Sequence, residues 1–351
     1  MKATSARANL QDVAREAGVS VATVDRVLHG RPGVHPHTVE RVNEVIGRIG
    51  FRPDPAAARL ARGRRYRLCF VLPAGDNSFV SMLTAEVQAL AGWLSEQRAS
   101  AEVQTVDRFA PEALARHLDG LHGLCDAVVV MALDHPLVRA AIDDLAAQGT
   151  LVITLVSDVP GSKRRHFVGI DNVAAGRTAA SLLGRFVGGS LGRAAAGTVG
   201  VVIGSPALRD HAERLFGFRQ VLTAEFPQLL LLLPPLEGED RAERTEPLVR
   251  ELLAHEPALA AIYSIGAGNR GVQAALASSP RAREIVWVGH ELTPTARRAL
   301  LDGVADAVIH QDAGHEVRSA CRLALAALSG EPVLAAQERI GIDIYLKDNL
   351  P

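Results

Sequence analysis

From residue 67 onward the chain repeats one pattern, a short apolar run followed by a longer amphipathic stretch, and that pattern leaves few folds open. The runs read LCFVL, AEVQTV, AVVVM, LVITLV, TVGVVIG, LLLLL, AAIYSI, IVWVG, DAVIH and IGIDIYL. Helical periodicity fills most of the gaps, as from Val80 to Gln97 and from Pro136 to Gln148. A strand that is apolar at nearly every position has no face to give to water, so helices must cover both of its sides. Alternation of such strands with helices means parallel sheets in an α/β fold. The runs outnumber the strands of one ordinary open sheet, so two Rossmann-like subdomains are expected.

The first 66 residues follow a different rule. In LQDVAREAGVSVATVDRVLHGRPGV, Leu10, Val13, Ala14 and Ala17 recur at helical spacing, with Asn9 at the N-cap position and Gly18 at the left-handed end. Ser20 caps a second short helix, with Val24, Val27 and Leu28 inward and Val21, Ala22, Asp25, Arg26 and His29 outward. Two helices joined by a glycine-containing turn form either an ordinary helical hairpin or a helix-turn-helix whose second helix enters a DNA major groove. His35 and Pro36 open a third helix carrying Val39, Val42, Ile46 and Ile49, closed by Gly50. Charge favours the DNA reading. The whole chain has a formal net charge of −1, yet residues 1–66 carry 12 Lys and Arg against 6 Asp and Glu, and the remainder 26 against 33. A basic head on an acidic body suits a polyanion held at one end.

That stretch, continued by TVERVNEVIGRIGFRPDPAAARLARG, resembles the DNA-binding head and hinge of the lactose-repressor (LacI/GalR) family of bacterial transcription regulators, without a gap over residues 9–63. The resemblance implies an α/β protein in three parts. These are a three-helix helix-turn-helix head at 1–50, a hinge helix at 51–66 and a periplasmic-binding-protein-like sensor with parallel sheets at 67–351. The first sensor subdomain is placed at about 67–172 and 293–326, the second at about 173–292 and 327–351, with three chain crossings around a cleft. The implied function is a regulator, usually a repressor, acting as a homodimer on a near-palindromic double-stranded DNA operator. Val21, Ala22 and Arg26 are expected at base edges, and Asn9, Ser20, Thr23, His29 and Thr38 at phosphates. Leu60 matches the leucine that the family's hinge helix wedges into the minor groove, while Asp54 departs from the usual asparagine.

In doubly wound sheets ligands bind beyond the carboxyl ends of the strands. The residues there are Asn77 and Phe79, Ser157 and Asp158, Asp171 and Asn172, Asn269, His290 and Glu291, and Gln311, with Arg214 on the helix after TVGVVIG. Carboxylates, amides and a rigid guanidinium fork converging from separate strands suit a polyhydroxylated ligand. The family comparison selects Asn77, Phe79, Asp158, Arg214, Asn269, Glu291 and Gln311 as effector-binding, with Asn77 and Gln311 facing Arg214 and Glu291 from the first subdomain. Val159 stands where many sugar binders of the family have arginine, and GAGNRG replaces a usual Asn-Asp pair. The expected effector is a sugar or polyol outside the common aldoses.

GAGNRG is also a literal G-x-G-x-x-G after a strand, with Glu291 roughly 20 residues on, so a dinucleotide oxidoreductase is one alternative reading. A solute-binding protein is another; the N-terminus has no apolar secretory segment, which points to the cytoplasm. No run approaches the ~20 residues of a membrane span. Cys69, Cys125 and Cys321 sit in apolar surroundings as expected buried thiols, and His122 with Cys125 lacks the second pair a metal site needs. No metal, cofactor or enzymatic activity is expected.

Overall fold

The computed structural model describes residues 8–28, 30–51, 65–191, 196–266 and 268–351. The chain divides into two units, Met1–Arg64 and Arg65–Pro351. His29, Asp54 and Leu60 lie outside the described residues.

The small unit contains helices Leu10–Ala17, Val21–Leu28 and Pro36–Ile49. The first begins with a reciprocal cap. The Asn9 side chain accepts from the backbone N–H of Gln11 and Asp12, and Asp12 accepts from the N–H of Asn9. It ends at Gly18, whose φ of +61° costs glycine least. Pro36 occupies the first turn of the third helix, where a missing N–H is harmless. Val13, Ala14, Ala17, Val24, Val42, Val45 and Phe51 form the core, flanked by Leu10, Val27, Leu28, Ile46 and Ile49. Val45 takes the central place that helical spacing also offered to Val39, which is only partly buried.

The large unit holds two sheets. The first has the order β2-β1-β3-β4-β5, built from β1 (Tyr66–Pro73), β2 (Ala99–Val106), β3 (Ala127–Val130), β4 (Leu151–Leu155) and β5 (His166–Val168). All its pairings are parallel. Successive β1 residues enter different cores: Leu68, Phe70 and Leu72 face one cluster, Cys69 and Val71 the other. Burial on both faces explains why the run carries no polar alternation. The second sheet has the order β12-β11-β10-β9-β6-β7, with β8 also paired to β6. Its strands are β6 (Gly197–Ile203), β7 (Leu229–Leu231), β8 (Leu236–Glu237), β9 (Leu259–Ser264), β10 (Val286–His290), β11 (Ala307–His310) and β12 (Asp343–Tyr345). Only β12 runs antiparallel to its neighbour.

One boundary differs from expectation. The sequence places 293–326 whole in the first subdomain, but β11 pairs with β10 and β12 in the second sheet. The short helix Pro294–Leu301 makes a compact crossover that lays β11 beside β10. Only helix Ala313–Ser329 returns, packing on helix Ser78–Ala89 and on β4 and β5. The chain therefore passes between the sheets after β5, after β11 and before β12.

Candidate functional site

On the small unit, the outer face of helix Val21–Leu28 presents Val21, Ala22 and Arg26 to solvent. Ser20 Oγ accepts from the Thr23 N–H at 3.1 Å and lies 2.9 Å from the Thr23 hydroxyl, so this helix start is ordered by its own side chains. Asn9 and Ser20 are exposed, and Thr23 and Thr38 are half-buried. Asp25 is engaged by Arg31 at 3.2 Å. That pairing offsets the charge of the one carboxylate on a face otherwise suited to DNA.

In the large unit, a buried polar cluster gathers where the carboxyl ends of the second sheet's strands meet the first subdomain. Its cation is Arg214, 2% exposed on helix Arg209–Glu225. The Nε donates to Asn172 Oδ1 at 2.8 Å, Nη1 donates to the Ile265 carbonyl at 2.9 Å, and Nη2 lies 3.9 Å from Glu291 Oε1. Two glycines bring the arginine here. A Cβ at Gly176 would overlap the Arg214 carbonyl, and one at Gly217 would overlap the Val173 carbonyl. Helices Asn172–Leu191 and Arg209–Glu225 thus approach backbone to backbone, and the guanidinium is held against strand ends instead of solvent.

Glu291 follows β10 with a φ of +66°, a left-handed backbone rare for a side chain of this size. Its N–H donates to the Ile309 carbonyl, which keeps the carboxylate turned inward. Glu291 Oε1 accepts from Gln311 Nε2 at 2.7 Å. His310 Nδ1 stands 3.6 Å from Oε2 and accepts from the Leu292 N–H at 3.2 Å. Gln311 follows β11 and therefore belongs to the second sheet's side, not to the first subdomain as expected.

Asn77 comes from the first subdomain. Its Oδ1 caps helix Ser78–Ala89, and its Nδ2 reaches Asp240 Oδ2 at 3.5 Å across the cleft. Phe79 is buried and lines a small recess with Ser78, Asn269, Arg270, Glu291 and Thr293. Further links span the cleft: Arg108 donates to the Glu239 and Asp240 carbonyls, Arg209 pairs with Asp134 at 3.0 Å, and Arg270 pairs with Asp76 at 2.6 Å. The structure is of a closed cleft.

Two expected residues have other partners. Asp158 is gripped bidentately by Arg164 and accepts from Thr154 Oγ1 and the Val159 N–H, so its carboxylate braces its own loop. Asn269 accepts from Ser264 Oγ at 2.6 Å and donates to the His290 carbonyl at 2.6 Å, which ties β9 to β10. Sequence reasoning missed Asp210, His211, Asp240 and Glu316. Gly204 and Gly266 leave room for His211 and Asp240, and the Gly204 N–H donates to His211 Nδ1 at 3.1 Å. Glu316, fully buried, lies between Ala313 and Ala320 on the apolar stripe of its helix, a signal visible in the pattern. Burial and the nearby Glu291 push its carboxyl well above the usual range. His290 is held well below the ordinary histidine value by burial and by Arg214, so it is neutral, with Nε2 2.8 Å from the Tyr263 hydroxyl.

GAGNRG has a packing explanation. A Cβ at Gly268 or Gly271 would strike helix Ala242–His255 at Thr245 and at the Ala242 carbonyl, so these glycines let helix Asn269–Ala277 approach it. Among the described residues no group of three or more His, Cys, Asp and Glu could hold a metal ion, and no helix is long and apolar enough to cross a membrane. All three cysteines are free and buried.

Comparison with known proteins matches residues 68–332 to the family described as "Periplasmic binding protein domain" and residues 9–54 to "Bacterial regulatory proteins, lacI family". Catabolite control protein A of Staphylococcus epidermidis is 42% identical over 82 residues, 23% of this chain and 25% of that protein. The same-named protein of Priestia megaterium is 40% identical over 82 residues, with the same coverage. The alignment thus spans about a quarter of these curated relatives. Among solved structures, GanP, a glucose-galactose binding protein from Geobacillus stearothermophilus, superposes with a TM-score of 0.71 at 20% identity, covering 82% of this chain and 99% of that one. A solute-binding protein from Burkholderia graminis in complex with D-arabinose gives 0.71 at 18% identity, covering 81% and 96%. At such identity these two show the fold.

Proposed function

We propose, from the premise that this chain belongs to the periplasmic-binding-protein domain family and carries a lacI-family head, that it is a transcription regulator whose hold on DNA answers to a small molecule bound in the sensor cleft. The observation that carries the reading is the pairing of two devices in one chain. One is a basic head whose second helix exposes Arg26, Val21 and Ala22. The other is a two-subdomain sensor with buried polar atoms at its strand ends.

In this reading Arg26 offers a bidentate fork to a guanine, and Val21 and Ala22 meet thymine methyl groups. Asn9, Ser20, Thr23 and Thr38 hold phosphates. Two heads related by a two-fold axis read two half-sites, so the regulator acts as a homodimer on a near-palindromic operator in the cytoplasm. The ligand is of the sugar or polyol class, bound by Arg214, Glu291 and Gln311 with Asn77 and Phe79 closing from the other side. It acts through its different affinity for open and closed clefts.

Selection of binding sites from random duplex DNA by the full chain tests the reading. The expected product is an enriched sequence with two-fold symmetry, and Arg26→Ala should relax one base position in each half at a cost of ~1–3 kcal/mol. Absence of any enriched sequence, or identical preference in the variant, would refute the assignment.

A further inference from the structure

An apolar recess of about 30 Å³ lies at the carboxyl ends of β1, β2 and β3, between the two subdomains. Val71, Phe109, Leu114, Met131 and Leu133 wall it from the first subdomain, and Leu208 closes it from the start of helix Arg209–Glu225 in the second. Leu208 belongs to the same buried cluster as Val71, Leu114, Leu133 and the fully buried Val159, so the cleft is shut here by an apolar contact. The polar residues that line the recess are engaged with backbone or with one another. Arg108 donates from Nε and Nη2 to the Ala74 carbonyl and from Nη1 to the Glu239 and Asp240 carbonyls. Asn77 Oδ1 accepts from the Phe79 and Val80 N–H groups, and its Nδ2 reaches Asp240 Oδ2. Asp107 is exposed.

The recess adjoins the buried polar cluster on two sides. Asn77 lines it, while the next two residues, Ser78 and Phe79, line the hollow that contains Glu291, so one loop separates the two spaces. Asp240 also lines it and abuts His211, because a single Cβ at Gly266 would meet Asp240 Oδ1 at 2.7 Å and His211 Nε2 at 2.8 Å. His211 stands one helical turn before Arg214. A space of this size takes one or two heavy atoms and not a sugar ring. Water needs two to four polar partners to be held, which an apolar wall does not supply. Left empty, the walls forfeit dispersion contacts that a methyl group restores, whereas a hydroxyl there sheds its water without a partner. From this geometry we infer that the effector carries a methyl group at a deoxy position of its polyhydroxylated frame, as a 6-deoxyhexose does, and that this recess holds the methyl while Arg214, Glu291 and Gln311 bind hydroxyls. The inference rests on the cleft being the effector site. Because Leu208 arrives from the opposite subdomain, the recess is complete only in the closed cleft, and the methyl favours that state.

Isothermal titration of the full chain with L-rhamnose, L-fucose, D-fucose and 6-deoxy-D-glucose tests this, each beside the hexose with a hydroxymethyl in place of the methyl: L-mannose, L-galactose, D-galactose and D-glucose. The expected result is at least one deoxy sugar binding roughly tenfold or more tighter than its counterpart, the discrimination that one apolar group in a matching pocket confers. Leu208→Asn keeps the size of the side chain but turns an amide toward the recess, and should reduce that preference to about threefold or less. Asparagine suits the N-cap position that Leu208 occupies, so the helix start survives the change, and a thermal melt checks that it does. Equal or tighter binding of the hydroxymethyl sugars to the unaltered protein overturns the proposal without recourse to any variant. So does an undiminished preference in folded Leu208→Asn, or no binding of any of the four deoxy sugars at millimolar concentration. Fluorescence anisotropy on the DNA recovered by selection separates the two readings. A hydroxymethyl hexose that binds more tightly and alters DNA affinity removes the methyl site but keeps the regulator. A deoxy sugar preferred as described while DNA affinity stays constant keeps the ligand chemistry and removes the regulator.

Discussion

Truncating Arg214 to alanine tests whether the cleft cation is also a structural post. The side chain is 2% exposed and donates to Asn172 Oδ1 at 2.8 Å and to the Ile265 carbonyl at 2.9 Å. Arg214→Ala leaves both acceptors buried and unpaired, at a cost of ~1–3 kcal/mol each. It also removes the guanidinium 3.9 Å from buried Glu291, and losing one partner of a buried pair costs ~3–5 kcal/mol. These losses overlap, so the net is about 3–5 kcal/mol and not their sum. At ~2–4 °C per kcal/mol for a domain approaching this size, the sensor's thermal midpoint should drop by roughly 6–20 °C. Calorimetry on the full chain reads this directly. Arg214→Lys should fall between, because an ammonium keeps the charge but cannot span two acceptors at fixed angles. A midpoint within about 2 °C of the unaltered protein in Arg214→Ala would refute the reasoning, since the two hydrogen bonds would then hold nothing. A lost effector response in this variant is informative only below its own melting range.

Gly217→Ala places a methyl against the Val173 carbonyl and should spread helices Asn172–Leu191 and Arg209–Glu225. Such overpacking costs ~1–3 kcal/mol or more against backbone, and a denaturation midpoint unchanged from the parent would count against the close approach. Stability should also depend on pH through Glu316. The folded chain retains that proton above the ordinary glutamate value while the unfolded chain releases it, so stability falls as pH rises from there, by at most ~1.4 kcal/mol per unit. Urea melts of the parent and Glu316→Gln from pH 5 to 8 should diverge with rising pH; parallel curves would sink the idea. His290 acts in the opposite sense, since below the usual histidine range the unfolded chain takes up a proton that the buried ring refuses.

Much of the architecture is legible in one dimension because secondary structure and burial share a period. Apolar runs with no polar alternation foretell strands covered on both faces, and each run named from the sequence contains a strand. The head's caps, Asn9 and Gly18, act within one turn of chain, so local sequence suffices. The residues near Glu291 and Arg214 are legible too, because strand ends follow strands. What the sequence cannot carry is the choice among partners. Whether β11 joins the first or the second sheet depends on which edge is open when helix Pro294–Leu301 folds back. Asp158 reads as a binding carboxylate until Arg164, six residues on, is seen to occupy both of its oxygens. Glu316 stands on the apolar stripe of its helix, but the charges that act on it, Glu291, Arg214 and Asp210, belong to the other subdomain and are set only by the tertiary fold. Pattern along the chain settles which faces are buried, because each element needs only its own residues to show an apolar side. Hydrogen-bond partners and charge balance in the cleft are set by atoms brought together from distant parts of the chain, and only the tertiary fold fixes those distances.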